Sequence, residues 1–95
     1  MLSWRDRVYR IETASRRVEQ EIADLPVGMR ERVIQAIRRL REDPRPRGAR
    51  KMMGEMRGAW RIRVGDYRII YDVDDDQRLV VILMVMHRRE AYRCW

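Results

Sequence analysis

Cysteine is all but missing from this 95-residue chain. Cys94 is the only one, so no intramolecular disulfide can form. Histidine is as scarce, with His87 alone, and no Cys/His pairing has zinc spacing. No metal and no cofactor is therefore expected. Long apolar runs are lacking too: the longest, residues 79–86, has a strand's length, far short of the roughly 18 to 20 residues that cross a bilayer. The first dozen residues are too charged for a signal peptide. Low-complexity tracts and internal repeats are absent, and the only linker-like composition is a short Pro/Arg/Gly stretch at 43–48. Together these absences predict one domain over residues 1–95, in a reducing cytoplasm, with no membrane partner. A chain this size buries roughly 60 to 65% of its unfolded surface, enough for one core and no second.

Positive charge is what the chain has in excess. Lys and Arg number 22 against 15 Asp and Glu, a formal net charge of +7, with a pI near 10.7. Such a balance points to an anionic partner, nucleic acid before a membrane surface. All of these cations but Lys51 are arginines. The excess is local: Arg45, Arg47, Arg50, Lys51, Arg57, Arg61, Arg63 and Arg68 face only Glu55 and Asp66, a net of +6 in a quarter of the chain.

The stretch WRIRVGDYRIIYDV, residues 60–73, reads as a β-hairpin with Gly65-Asp66 as its turn. Side chains alternate across a strand, so Trp60, Ile62 and Val64 share one face while Arg61 and Arg63 share the other. Arg68 then returns near them. Arginines do not serve a core cheaply, so three on a rigid sheet need water, carboxylates or phosphates as partners. Alternation with these arginines makes Trp60, Tyr67 and Tyr71 packing residues before stacking platforms. Met52, Met53 and Met56 read as closing the edge of the core.

Elsewhere the spacing predicts a strand over 7–11, then a helix entered at Thr13 or Ser15 and running to about Leu25, with Val18, Ile22 and Leu25 as its stripe. Pro26-Val27-Gly28 breaks it. A second helix over 28–42 puts Met29, Val33, Ala36, Ile37 and Leu40 on one face and ends at Asp43-Pro44, because a residue before proline leaves the α region. Two helices so close in sequence predict an antiparallel hairpin. Strands follow over 59–64, 67–73 and 79–86. The last is apolar on both faces, which suits the middle of a sheet. The fold class is α+β: a small twisted antiparallel sheet of about four strands, order β-α-α-β-β-β, with the helical hairpin on one face and the arginines on the other.

Beyond the last strand comes HRREAYR, residues 87–93. With it, the two-helix start, LREDPRP, GARKM and WRIRVGDYRIIYDVDD, in this order and spacing, the chain resembles the RelE/ParE superfamily of toxin-antitoxin toxins, more closely the RelE-type endoribonuclease branch. The resemblance covers most of the chain. It implies a toxin that cuts messenger RNA in the ribosomal decoding site by attack of the RNA's 2′-OH on the adjacent phosphate, a cognate antitoxin, and a toxin-antitoxin hetero-oligomer. Carried over by position, it implies a site of Arg61, Arg63, Arg68, Arg88 and Tyr92. Where several ribonuclease members have lysines on the first site strand, this chain has Arg61 and Arg63, which bind phosphate but are poor bases. His87 is then a candidate for proton transfer, its ordinary pKa lying near neutrality. A hydrogen bond capping the last strand is its plainer role. Arg45, Arg47, Arg50 and Lys51 read as RNA-backbone contacts that add salt-dependent affinity.

Three functions stay open at this stage. One is the ribosome-dependent endonuclease. Another is a ParE-like toxin that poisons DNA gyrase without cutting anything. The third is a non-catalytic RNA-binding or decayed toxin domain.

Overall fold

In the computed structural model, residues 8–54 and 57–89 are described. Seven elements follow one another: β1 (Arg10–Thr13), α1 (Arg16–Ala23), α2 (Val27–Arg39), β2 (Arg50–Lys51), β3 (Trp60–Val64), β4 (Tyr67–Asp74) and β5 (Leu79–His87). The strands form one sheet in the spatial order β1-β5-β4-β3-β2. Strand β5 is interior, as its two apolar faces require. Two features depart from expectation. The sheet has five strands, and it is mixed, because β1 pairs with β5 in parallel while the other neighbours are antiparallel. The first strand also starts three residues later and ends two later than predicted.

The hydrophobic stripes account for the layering. Val18 and Leu25 from the first helical segment, and Val33, Ile37 and Leu40 from the second, are buried against Ile62, Val64, Ile69, Tyr71, Val80, Ile82 and Val85 of the sheet. Trp60 and Tyr67 pack against this core and Tyr71 is fully buried within it. Helix α2 stops at Arg39, short of the predicted 42, because the chain tightens there: Leu40 and Arg41 donate to the carbonyls of Ile37 and Arg38, three residues back. Pro44 follows, its carbonyl accepting a 2.7 Å hydrogen bond from the Tyr71 hydroxyl. That bond ties the helix exit to the middle of β4.

A second, smaller apolar cluster sits on the opposite face: Met52, Ala59 and Ile70, with Leu83 and Met84 against them. Met52 thus closes a core edge as expected, whereas Met53 is 79% exposed; Met56 lies outside the described residues. Between Ile70 and Tyr71 the β4–β5 register shifts, with Ile70 opposite Met84 but Tyr71 opposite Ile82. Leu83 is therefore an extra, bulged residue on β5, and side-chain parity reverses after it.

Candidate functional site

The β3–β4 turn is the anchor. Gly65, at φ +60°, opens a two-residue turn of the II′ kind that glycine favours in that position. Flanking it, Val64 faces Tyr67, and the next pair outward is Arg63 opposite Arg68. Arg61 stands opposite Ile70 on the same face, and Arg50 on β2 stands opposite Arg61. Four arginines from three strands thus share the face away from the helices. The Met52 amide donates to the Ala59 carbonyl at 2.8 Å, so the backbone groups of Ala59, and by parity of Arg61 and Arg63, point towards β2. Towards β4, Arg63 and Arg68 are then a non-hydrogen-bonded pair, the geometry that brings facing side chains closest.

No described carboxylate neutralises these cations. Among the described residues the side chains of Arg50, Arg61 and Arg68 have no hydrogen-bond or ion-pair partner. Arg63 makes one bond, its Nε donating to the Gly65 carbonyl at 3.0 Å, which aims its guanidinium along the turn. Arg88 is brought to the same end: its amide donates to the Asp66 carbonyl at 2.7 Å, and its Nε lies 4.0 Å from the Asp66 carboxylate. Tyr92 lies outside the described residues.

His87 is not brought to the arginines. It pairs with Tyr67, and the two rings meet edge to face at 5.2 Å. Tyr67 shares its face with the buried Val64 and Ile69, so His87 stands on the helix side of the sheet. Its Nδ1 accepts the Arg89 amide at 3.2 Å, a strand-capping bond.

The four loop cations also separate. Arg45 is bound to Asp75 by both terminal nitrogens, at 2.8 and 3.2 Å, and its guanidinium lies 5.4 Å from the Trp60 ring. The Tyr9 hydroxyl donates to the same carboxylate at 2.5 Å. Those two donors, Arg45 first, hold the Asp75 carboxyl down at about 2, while the carboxylate raises the pKa of both Arg45 and Tyr9. Lys51 lies on the helix side, 5.8 Å from Trp60, and Arg47 is exposed in the loop. Only Arg50 of this set joins the cluster. Sequence reasoning missed a further surface, an open groove of about 890 Å³ between α2 and the turn, lined among others by Arg32, Arg38, Arg39 and Arg63. Its signal was present as an arginine repeat along the outward face of α2, with Arg32 and Arg39 seven residues apart.

The family described as the ParE toxin of the type II toxin-antitoxin system, parDE, matches residues 11–92. The chain belongs to the RelE/ParE superfamily of type II toxins. Toxin RelG of Mycobacterium tuberculosis is 46% identical over 39 residues, 41% of this chain and 45% of that relative, so the match spans less than half of either. Among solved structures, the toxin-antitoxin complex RelBE2 from Mycobacterium tuberculosis has a TM-score of 0.75 at 28% identity, over 85% of this chain and 92% of the other. The archaeal RelE-RelB complex from Pyrococcus horikoshii OT3 has a TM-score of 0.74 at 29% identity, over 85% and 96%. The superfamily fold, two helices on one face of a β-rich sheet, is the fold seen here. In this toxin the face without helices carries the four arginines.

Proposed function

We propose that this toxin is a ribosome-dependent messenger RNA endonuclease, and that the arginine face grips the scissile phosphate. One observation carries the reading: guanidinium groups in register on a rigid sheet, with no carboxylate among the described residues paired to them. Their side of the ledger is repulsion, so an anionic ligand is what such a face accommodates.

In this reading Arg61, Arg63 and Arg68 hold the non-bridging phosphate oxygens and stabilise the extra charge of the phosphorane formed when the 2′-OH attacks. Arg88, held at the turn by Asp66, offsets charge on the leaving 5′-oxygen. The 2′-OH proton needs an acceptor, and arginine cannot be one. His87 faces the other side of the sheet, so the acceptor proposed is Tyr92, the tyrosine that the family resemblance implies for the site. The leaving 5′-oxygen takes its proton from water, so the products are a 2′,3′-cyclic phosphate and a 5′-hydroxyl. Arg32, Arg38 and Arg39 extend the grip along RNA backbone. A cognate antitoxin, as in the RelBE2 and RelE-RelB complexes, would switch the site off by covering the arginines.

The test is purified toxin on ribosomes programmed with a message carrying a single 2′-deoxy sugar at the cut position. The proposal expects cleavage of the unmodified message to a cyclic phosphate and none of the deoxy message. Equal cutting of both would sink the 2′-OH mechanism.

A second reading has specific support. Among the described residues no histidine stands on the arginine face and no carboxylate is paired with Arg50, Arg61, Arg63 or Arg68, and the family description is that of ParE. A gyrase poison needs no such base. Inhibition of purified gyrase by this toxin, without any cut in programmed ribosomes, would establish that reading instead.

A further inference from the structure

Beside the arginines lies a pocket of about 340 Å³, lined by Lys51, Met52, Met53, Gly54 and Arg61. Its chemistry is specific. Met52 is 5% exposed and belongs to the apolar cluster under the sheet, so it forms a fixed floor. Met53 is 79% exposed at the rim, one of only two large apolar side chains among the described residues to be so exposed. Gly54 stands at φ +73°, and a side chain built there would meet none of the described atoms within 4 Å. Lys51 directs its ammonium towards Trp60 on the other side of the sheet. The charged wall is therefore Arg61, which also stands in the phosphate cluster opposite Arg50.

We infer that this pocket seats a nucleobase adjoining the phosphate held by Arg61, an inference that rests on the nuclease reading above. Two thioethers and a guanidinium plane offer a polarisable surface that suits a flat π-face, and sulfur and arginine both make favourable contacts with aromatic rings. Among the described residues the lining side chains include no carboxylate or amide, so they stack a base without reading its edge. Because Arg61 serves both wall and cluster, base and phosphate belong to neighbouring parts of one strand. An apolar peptide would gain from the methionines but would leave Arg61 without an anion. A nucleotide uses both.

The experiment measures binding of the whole toxin to a short 2′-O-methyl oligoribonucleotide, which cannot be cut, by fluorescence anisotropy at about 50 mM salt. An abasic residue is placed at each position in turn. One abasic position should weaken binding about threefold to tenfold. Met53→Ser, at an exposed site where folding is not at stake, should weaken the intact oligonucleotide by the same factor and leave that abasic one unchanged. Arg61→Ala should weaken both. Equal affinity for intact and abasic strands, or a Met53→Ser effect that ignores the missing base, would overturn the seat while ribosomal cutting stands. No binding of any oligonucleotide at this salt would overturn the seat, and cutting of programmed ribosomes by the same toxin preparation decides separately whether the nuclease reading falls with it.

Discussion

Arg68→Thr is the substitution that most sharply separates function from stability. Arg63 and Arg68 face each other as a non-hydrogen-bonded pair, and Arg68 has no partner among the described residues. Like charges in that position cost about 0.2–1 kcal/mol. Threonine is a good strand residue and removes the repulsion, worth about 1–8 °C in Tm for a domain of this size. Against this stands the half-buried arginine stem, whose packing is lost in the variant. Salt tells the two apart. Repulsion is felt when the Debye length is about 30 Å, at 0.01 M, and is quenched at about 3 Å, in 1 M salt, whereas packing is indifferent to both. Melting curves at the two salts should therefore show the variant gaining relative to the parent at low salt, with the gain gone at high salt. Its toxicity should fall tenfold to a hundredfold, from the loss of a charge-assisted bond of about 1.5–3 kcal/mol to phosphate. A variant destabilised equally at both salts and still fully toxic would refute the view that Arg68 is held against repulsion for a ligand.

Three other outcomes are expected. The Asp75 carboxyl is held below its ordinary value, at about 2, so its contribution to stability is complete above about pH 4 and disappears as pH falls towards 2; Asp75→Asn should be less stable than the parent at pH 6 by chemical denaturation, the gap closing over that window. Burial pushes the Tyr71 hydroxyl up to about 12, so its contribution is intact below pH 10 and lost as pH rises towards 12. Tyr71→Phe should cost about 1–3 kcal/mol at neutral pH, from the stranded Pro44 carbonyl, and approach the parent in alkaline melts. His87→Ala should retain ribosomal cutting within a few-fold and an unshifted pH profile, since the ring faces Tyr67; a loss beyond a hundredfold would restore it as the base.

Much of this fold could be read from periodicity. Both helices, the hairpin at Gly65-Asp66 and the double-sided apolar strand around Val80 to Val85 announce themselves by spacing. Other features lack a local signal. Arg50 and Lys51 form a strand too short to alternate, so Arg50 read as a loop cation, although pairing with Arg61 places it in the cluster. Strand β1 is held to β5 across most of the chain, Arg10 opposite Leu79, and no local pattern announces a parallel pairing of such reach. Arg45 read as an RNA contact because its partner, Asp75, lies thirty residues away on another turn. The bulge at Leu83 is the most consequential case. Strict alternation along β5 would put His87 on the face of Val81, the arginine face; the extra residue turns it to the helix side instead.

The most direct measurement is to map 5′ ends across translated messages after inducing this toxin in cells, beside the Arg61→Ala/Arg68→Ala double variant. The arginine-face nuclease predicts new ends inside reading frames that require ongoing translation and vanish in the folded double variant, with antitoxin binding retained. Growth arrest without such ends, or arrest and cutting undiminished in the double variant, would contradict it.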